Sequence, residues 1–263
     1  MAYNMASLTF LGTAPGYPAA NKNHTGLLLD TGTKKILIDA GEPGARTLLE
    51  IGVDPADLDA IVVTHGHSDH TGGLPMIIQA AWIIGRKAPL PIFLPAELID
   101  PLRNWLNASY IGSDFLPFQV NFHGWEEAPV HKVAGCEIRP AVTTHLQALV
   151  DRFGNGRFHA FSFAVRHSTF EFVFSGDIGT PDDLTEPLKT GTDLLVCEIA
   201  HFEPQALFDF LSARKVRRLV LTHASAEVAA EIETVLTVAR KSLSHTEVIY
   251  AVDKMRLELQ RCT

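Results

Sequence analysis

The 263-residue sequence predicts an α/β fold in which two mixed β-sheets pack face to face with helices outside, a four-layer αββα sandwich formed as a single domain over residues 1–263. Three observations carry this prediction. Apolar runs of strand length recur along the whole chain. Helix-length segments follow some of them in each half, after loops rich in histidine or aspartate. No short-period repeat, low-complexity tract or charge run interrupts the pattern. Such an alternation suits sheets that each bury one face on the other sheet and one face on helices.

The elements follow in order. Ser7 to Leu11, Thr25 to Asp30 and Lys35 to Asp39 are apolar or alternating strand runs, separated by the turn chemistry of Gly12-Thr-Ala-Pro-Gly and Thr31-Gly-Thr. Pro43 to Ile51 predicts a helix, Ala60 to Val63 a strand and Gly73 to Ile84 a helix. Pro91 to Leu94 predicts a strand and Ala96 to Leu106 a helix, which Pro101 would kink or divide. Strands are expected over Phe118 to Phe122, Gly135 to Val142, Ala160 to Arg166 and Thr169 to Phe174. The last third reads as strand Leu194 to Glu198, helix Pro204 to Ala213, strand Arg218 to Thr222, helix Ala226 to Ser242 and strand Glu247 to Tyr250.

Composition narrows the function classes. Apolar residues make up 46% and charged residues 20%, the balance of an ordinary globular enzyme. The formal charge of −8 does not suit a surface that grips phosphate backbones broadly. Cys136, Cys197 and Cys262 are odd in number and widely spaced, which points to incidental thiols in a reducing compartment. The start of the chain lacks the pattern of a secretion signal, and Met76 to Gly85, the most apolar helix candidate, is too short for a membrane. The expectation is a cytoplasmic protein with no membrane partner. The glycine-rich turns form neither GxGxxG nor a phosphate-binding loop, so no nucleotide cradle is implied.

The strongest chemical signal is Thr64-His65-Gly66-His67-Ser68-Asp69-His70, directly after the apolar strand. Three imidazoles and a carboxylate converging on a small volume suit zinc and its first-row neighbours. A lone histidine would be read as a satisfied core residue, whereas four ligand side chains in six positions read as a metal loop. His145, Asp177 and His223 each end an apolar run, so each can project from a rigid sheet edge toward that loop. Two ions sharing a carboxylate and a water would activate that water for attack on an ester.

The set His65-x-His67-x-Asp69-His70 followed by His145, Asp177 and His223 resembles the metallo-β-lactamase superfamily over nearly the whole chain. The resemblance is to its ribonuclease Z and phosphodiesterase-like branch, through Phe10-Leu-Gly-Thr-Ala-Pro-Gly, Thr64-His-Gly-His-Ser-Asp-His-Thr-Gly-Gly-Leu-Pro, Leu194-Leu-Val-Cys-Glu-Ile-Ala and Leu219-Val-Leu-Thr-His-Ala-Ser. It implies the αββα sandwich and a phosphodiesterase with two divalent metal ions, zinc by default, with manganese or iron able to use the same ligands. It implies that His65, His67 and His145 hold the first ion, that Asp69, His70 and His223 hold the second, and that Asp177 bridges them. It also implies that Asp69 serves as a base, and that His201, oriented by Glu198, protonates the leaving oxygen.

Two features depart from that branch. Leu146 to His159 is too short for the long arm with which tRNA-maturing relatives grip tRNA, so extended RNA binding is not expected and a small, anionic ester substrate is. Cys197 stands where relatives are expected to carry a histidine beside the glutamate. Competing readings are a lactone, thioester or sulfate ester hydrolase on the same site, and a di-iron redox protein or metal-binding scaffold. The last two fit less well, because His67 stands where di-iron relatives tend to carry glutamate and no ligand is missing. By analogy, surface helices suit a homodimer. His24, His123, His131, His159, His167 and His245 read as structural or exposed, and Trp82, Trp105 and Trp125 as packing residues.

Overall fold

The computed structural model describes residues 5–127, 129–154 and 156–260. Two seven-stranded sheets are present, and each is half antiparallel and half parallel. The first takes β1 (Ser7–Gly12), β2 (Gly26–Asp30), β3 (Lys35–Ile38), β4 (Ala60–Val62), β5 (Leu90–Leu94) and β6 (Val120–Gly124). The second takes β7 (His131–Val133), β8 (Cys136–Val142), β9 (Phe161–Arg166), β10 (Glu171–Phe174), β11 (Thr192–Ile199), β12 (Val216–Ala224) and β13 (Glu247–Tyr250). The last strand, β14 (Arg256–Glu258), returns to the first sheet beside β1, giving the orders β14-β1-β2-β3-β4-β5-β6 and β13-β12-β11-β10-β9-β8-β7.

Parallel neighbours need a crossover, and helices supply it. In the first half these are α1 (Gly44–Glu50), α2 (Ser68–Thr71), α3 (Leu74–Ile83) and α4 (Ile99–Ala108). In the second half α5 (Gln147–Phe153) precedes β9, and α6 (Pro204–Leu211), α7 (Ala226–Ala230) and α8 (Ile232–Ser242) cover the parallel strands.

The strand period of two explains the layers. Leu27 and Leu29 of β2 face the core between the sheets, while Leu28 joins the core under α1 and α3. Ile36 and Ile38 of β3 likewise part from Leu37. Across the molecule Val196 and Val220 face inward, whereas Leu195, Cys197, Leu219 and Leu221 pack against Leu207 and Phe208 of α6 and Leu236 of α8. Each such side chain removed from water stabilises the fold by about 1.5–3 kcal/mol. Trp125 is fully buried in the inter-sheet core with Nε1 donating to the Val63 carbonyl at 2.7 Å, as its packing assignment requires.

The sandwich agrees with the sequence prediction, and the differences lie at short or polar elements. β7, β14 and α5 were not anticipated; the two strands have three residues each, too few to display a period. The expected strand over Phe118 to Phe122 is displaced to Val120–Gly124. The segment at Ala96 opens with a 3-10 turn, Ala96–Leu98, and α4 begins at Ile99. Pro101 therefore falls in the first turn of α4, where a missing N–H costs nothing. The helix expected over Ala226 to Ser242 is two, divided at Glu231 (φ −105°, ψ 17°), with no glycine or proline to announce the break. Among the described residues no helix is long and apolar enough to cross a membrane. Cys262 lies outside the described residues.

Candidate metal centre

The predicted ligands collect on one rim of the sandwich, where β4, β8, β10 and β12 end. The chain leaves β4 through Val63 and Thr64 to His65, and the short α2 turns Asp69 and His70 inward, where both are buried. Asp177 leaves β10 through Ser175 and Gly176. Gly176 has φ +54°, and a Cβ there would lie 2.6 Å from the Phe161 carbonyl oxygen, so the turn admits no side chain. His145 follows the end of β8, and His223 lies near the end of β12.

These seven side chains form two groups that share Asp177. One is His65, His67, His145 and Asp177; the other is Asp69, His70, Asp177 and His223; within each, one ligand atom per residue lies within 4.8 Å of all the others. Asp177 Oδ2 is 3.8 Å from His65 Nε2, 3.6 Å from His145 Nε2 and 3.4 Å from His223 Nε2, and its Oδ1 is 3.4 Å from His70 Nε2. Asp69 Oδ2 is 3.4 Å from His70 Nε2 and 3.8 Å from His223 Nε2. His67 turns its Nδ1 to His145 Nε2 at 3.2 Å. A tetrahedron with ligands about 2.1 Å from its centre has edges of about 3.4 Å, so these separations are those of donors around a small cation. His65 Nε2 and His70 Nε2 are buried without a hydrogen-bond partner, although their other ring nitrogens have one. Buried polar atoms are seldom left unpaired, and these two face the carboxylates from which a cation would be shared. The fold and the donor set together support divalent metal ions.

Three residues that the sequence reading did not single out hold the donors in place. Asp39, at the end of β3 and fully buried with φ +55°, accepts from the Thr64 amide at 2.8 Å, from Thr64 Oγ1 at 2.9 Å and from His70 Nδ1 at 2.8 Å. That bond leaves His70 Nε2 turned toward Asp69 and Asp177, where it could serve as a ligand atom. Thr25 Oγ1 meets His223 Nδ1 at 2.7 Å, and Thr64 Oγ1 meets His65 Nδ1 at 3.1 Å. The signal for Asp39 was available, since a carboxylate ending an apolar strand beside the metal loop is the same pattern that marked Asp177.

The comparisons with known proteins agree with this geometry. A profile described as beta-lactamase superfamily domain matches residues 34–246. The chain belongs to that superfamily. It is 40% identical over 123 residues to a ribonuclease Z of Pseudomonas putida (strain W619), a match covering 46% of this chain and 37% of that protein. This chain thus spans well under half the length of that curated relative. The metallo-beta-lactamase fold protein YhfI from Bacillus subtilis superimposes with a TM-score of 0.76 at 18% identity, over 97% of this chain and all of that one. The short form of human tRNase Z gives 0.73 at 20% identity, over 97% of this chain and 100% of the other. Both superpositions show the metallo-β-lactamase sandwich.

Electrostatics in this superfamily member follow burial and charge. Burial pushes the imidazoles of His65, His67 and His145 down, His145 to about 4, so they are neutral at neutral pH, the form that ligates a metal. Burial alone would raise Asp69 and Asp177, but the neighbouring imidazoles outweigh it and keep both carboxylates ionised. Burial would also lower His70; flanked by Asp177 and Asp39, it is instead held well above the ordinary histidine range. The carboxylates around it thus demand positive charge at this point.

Burial decreases toward one side. His65, His70, Asp177 and His223 form the buried floor, His145 is half-buried above it, and His67 and His201 form the open rim. His201 Nδ1 pairs with Glu198 Oε1 at 2.8 Å, and the same carboxylate accepts from the amides of Ile178, Ala200 and His201. Burial lowers His201, but the hydrogen bond and charge of Glu198 outweigh it and raise the imidazole above its usual value. Its ring centroid lies 4.5 Å from that of His145 and 5.9 Å from that of His223. Cys197 faces the helix layer, away from the rim, so cysteine there leaves the Glu198–His201 pair intact. His24 Nδ1 meets the Pro15 carbonyl at 3.1 Å, outside both ligand groups. His131 is a buried packing residue against Trp125, as its structural assignment requires. His159 clusters with Glu97 and Glu126, its Nδ1 3.1 Å from Glu97 Oε2 and 3.5 Å from Glu126 Oε1.

Proposed function

We infer that this protein is a hydrolase of small phosphodiesters that works with two divalent metal ions. The observation that carries the inference is Asp177 standing in both four-residue groups, with the Glu198–His201 pair against the same rim. In this reading His65, His67 and His145 hold one ion, Asp69, His70 and His223 hold the other, and Asp177 joins both. The all-imidazole and carboxylate donor set favours zinc, with manganese or iron as substitutes. Two such ions, when bound, supply a nucleophilic water at neutral pH and polarise the phosphoryl oxygens.

The remaining work falls to the side chains. Asp69, buried beside His70 and His223, is assigned as the base that takes the water's proton as the new P–O bond forms. Glu198 occupies Nδ1 of His201 and leaves Nε2 to hand a proton to the leaving oxygen as the old P–O bond breaks. Ribonuclease Z is the name of the curated relatives over the matched half of the chain, and that favours a phosphodiester over a lactone, thioester or sulfate ester. The short α5 segment and the net charge of −8 favour a small anionic substrate over extended RNA. A single domain over residues 1–263, a cytoplasmic setting and a homodimer are part of the same proposal.

The test is turnover of bis(4-nitrophenyl) phosphate against a panel of aryl esters, lactones and aryl sulfates by metal-supplemented protein. Phosphodiester cleavage is expected to be fastest. Faster cleavage of another ester class would overturn the substrate and leave the metal site standing.

A further inference from the structure

Beside the rim lies an apolar cavity of about 270 Å³ whose wall includes Gly66 and the proposed ligand His67. Its apolar walls are Leu98, Leu146, Leu149 and Phe158, with Glu97, Arg157 and His159 completing the lining, and Leu146 directly follows His145. The cavity is therefore continuous with the half of the metal centre that opens to solvent. A second apolar cavity of about 210 Å³ shares Gly66 and Leu98 but touches none of the seven ligands, so Leu98 is the partition between the two.

Size and chemistry restrict the occupant. A cavity of about 150 Å³ lined by aliphatic and aromatic side chains already holds benzene, so 270 Å³ takes one ring with a substituent and excludes a run of nucleotides. Hydrogen-bonding capacity is scarce. Glu97 is engaged by the His159 amide at 2.7 Å and by the His159 ring at 3.1 Å. Arg157 has no carboxylate partner among the described residues, and its guanidinium lies 5.2 Å from the centroid of the Phe158 ring. The wall thus offers apolar contact beside one carboxylate, Glu97, that is already engaged and one guanidinium, Arg157, that has no carboxylate partner among the described residues, which suits an apolar group carried by an anionic ester.

The backbone adds a second, independent observation. Phe158 has φ +70°, a conformation that a bulky L-residue adopts only under constraint. The bond from the next residue's amide to Glu97 holds it there and keeps the ring against the cavity. Such constraint gathers at ligand clamps.

The geometry points to a substrate class: a phosphodiester whose retained ester group is an aryl or similar apolar ring, seated between Leu98 and Phe158 beside His67, while the leaving oxygen faces His201. This rests on the phosphodiesterase reading and adds to it the identity of the group that is not released. Phe158 and Leu98 are then the specificity-determining residues.

Three substrates with one leaving group test this: bis(4-nitrophenyl) phosphate, methyl 4-nitrophenyl phosphate and thymidine 5′-(4-nitrophenyl) phosphate. Metal-loaded protein is expected to prefer the bis-aryl diester in kcat/KM by at least about tenfold over each of the others, about 1.4 kcal/mol. Phe158→Gly, which suits the left-handed backbone, and Leu98→Ala are each expected to bring the ratio over the methyl diester within about threefold. A calorimetric comparison of phenylphosphonate with methylphosphonate reads the same pocket without turnover and should show the same preference and the same loss. Equal kcat/KM for aryl and methyl diesters, a higher value for the thymidine diester, or a preference that survives both substitutions would overturn the inference with the hydrolase reading intact. Preferential phenylphosphonate binding without cleavage of any diester would instead refute the hydrolase reading and leave the pocket.

Discussion

Asp39→Asn is the most informative single change, because it alters one ring nitrogen's partner without altering any ligand. Asp39 receives three hydrogen bonds, two from Thr64 and one from His70 Nδ1, and is fully buried. Asparagine tolerates the φ of +55° and keeps one oxygen for Thr64, but it places an NH2 against His70 Nδ1. His70 must then turn Nδ1 into an acceptor and carry its proton on Nε2, the atom aimed at Asp69 and Asp177. Losing a charge-assisted bond costs about 1.5–3 kcal/mol, and at 1.4 kcal/mol per decade this weakens the ion at His70 by about 10–100-fold. Competition against a chromophoric zinc chelator would resolve the two ions. The expected result is one affinity unchanged and the other reduced by that factor, with a fold that still melts cooperatively in urea. Two unchanged affinities would refute the argument that Asp39 sets the His70 tautomer.

Other changes separate the remaining roles. His201→Ala should lower kcat for a phosphodiester by about 10²–10⁴-fold while the metal content stays as it was, and unaltered turnover would remove His201 from the reaction. Gly41→Ala would drive a Cβ into the Asp69 carbonyl oxygen; a stability loss of about 1–3 kcal/mol in urea melts is expected, and none would show that the loop can yield. Burial pushes the Cys136 thiol up to about 11 and Cys197 higher still, so peptide mapping after iodoacetamide at pH 8 should find both unmodified until the protein is unfolded.

The two-sheet sandwich was legible because most strands display a period of two over four or more residues, and because the crossover helices follow strands ending in histidine or aspartate. The clustered histidines and aspartates were legible for a related reason. Donors proposed for a metal must be held rigidly, and His65, Asp177 and His223 each stand at or near the end of an apolar run. What supports the donors was harder to read. Asp39 ends β3 just as Asp177 follows β10, but a single carboxylate in a strand does not reveal which ring it will meet. Phe158 lies in the short segment Leu146 to His159; its importance lies in a backbone angle and in the hydrogen bond of the next residue's amide to Glu97, neither of which has a sequence period. α5 and the division at Glu231 depend on packing of the same kind.

The central claim is two ions per chain in one shared cluster, and the most direct measurement is the metal-to-protein ratio of purified, zinc-supplemented protein by native mass spectrometry. Two ions per chain are expected, falling to one in His223→Ala. A well-folded wild-type chain that binds one ion or none under those conditions would contradict the account.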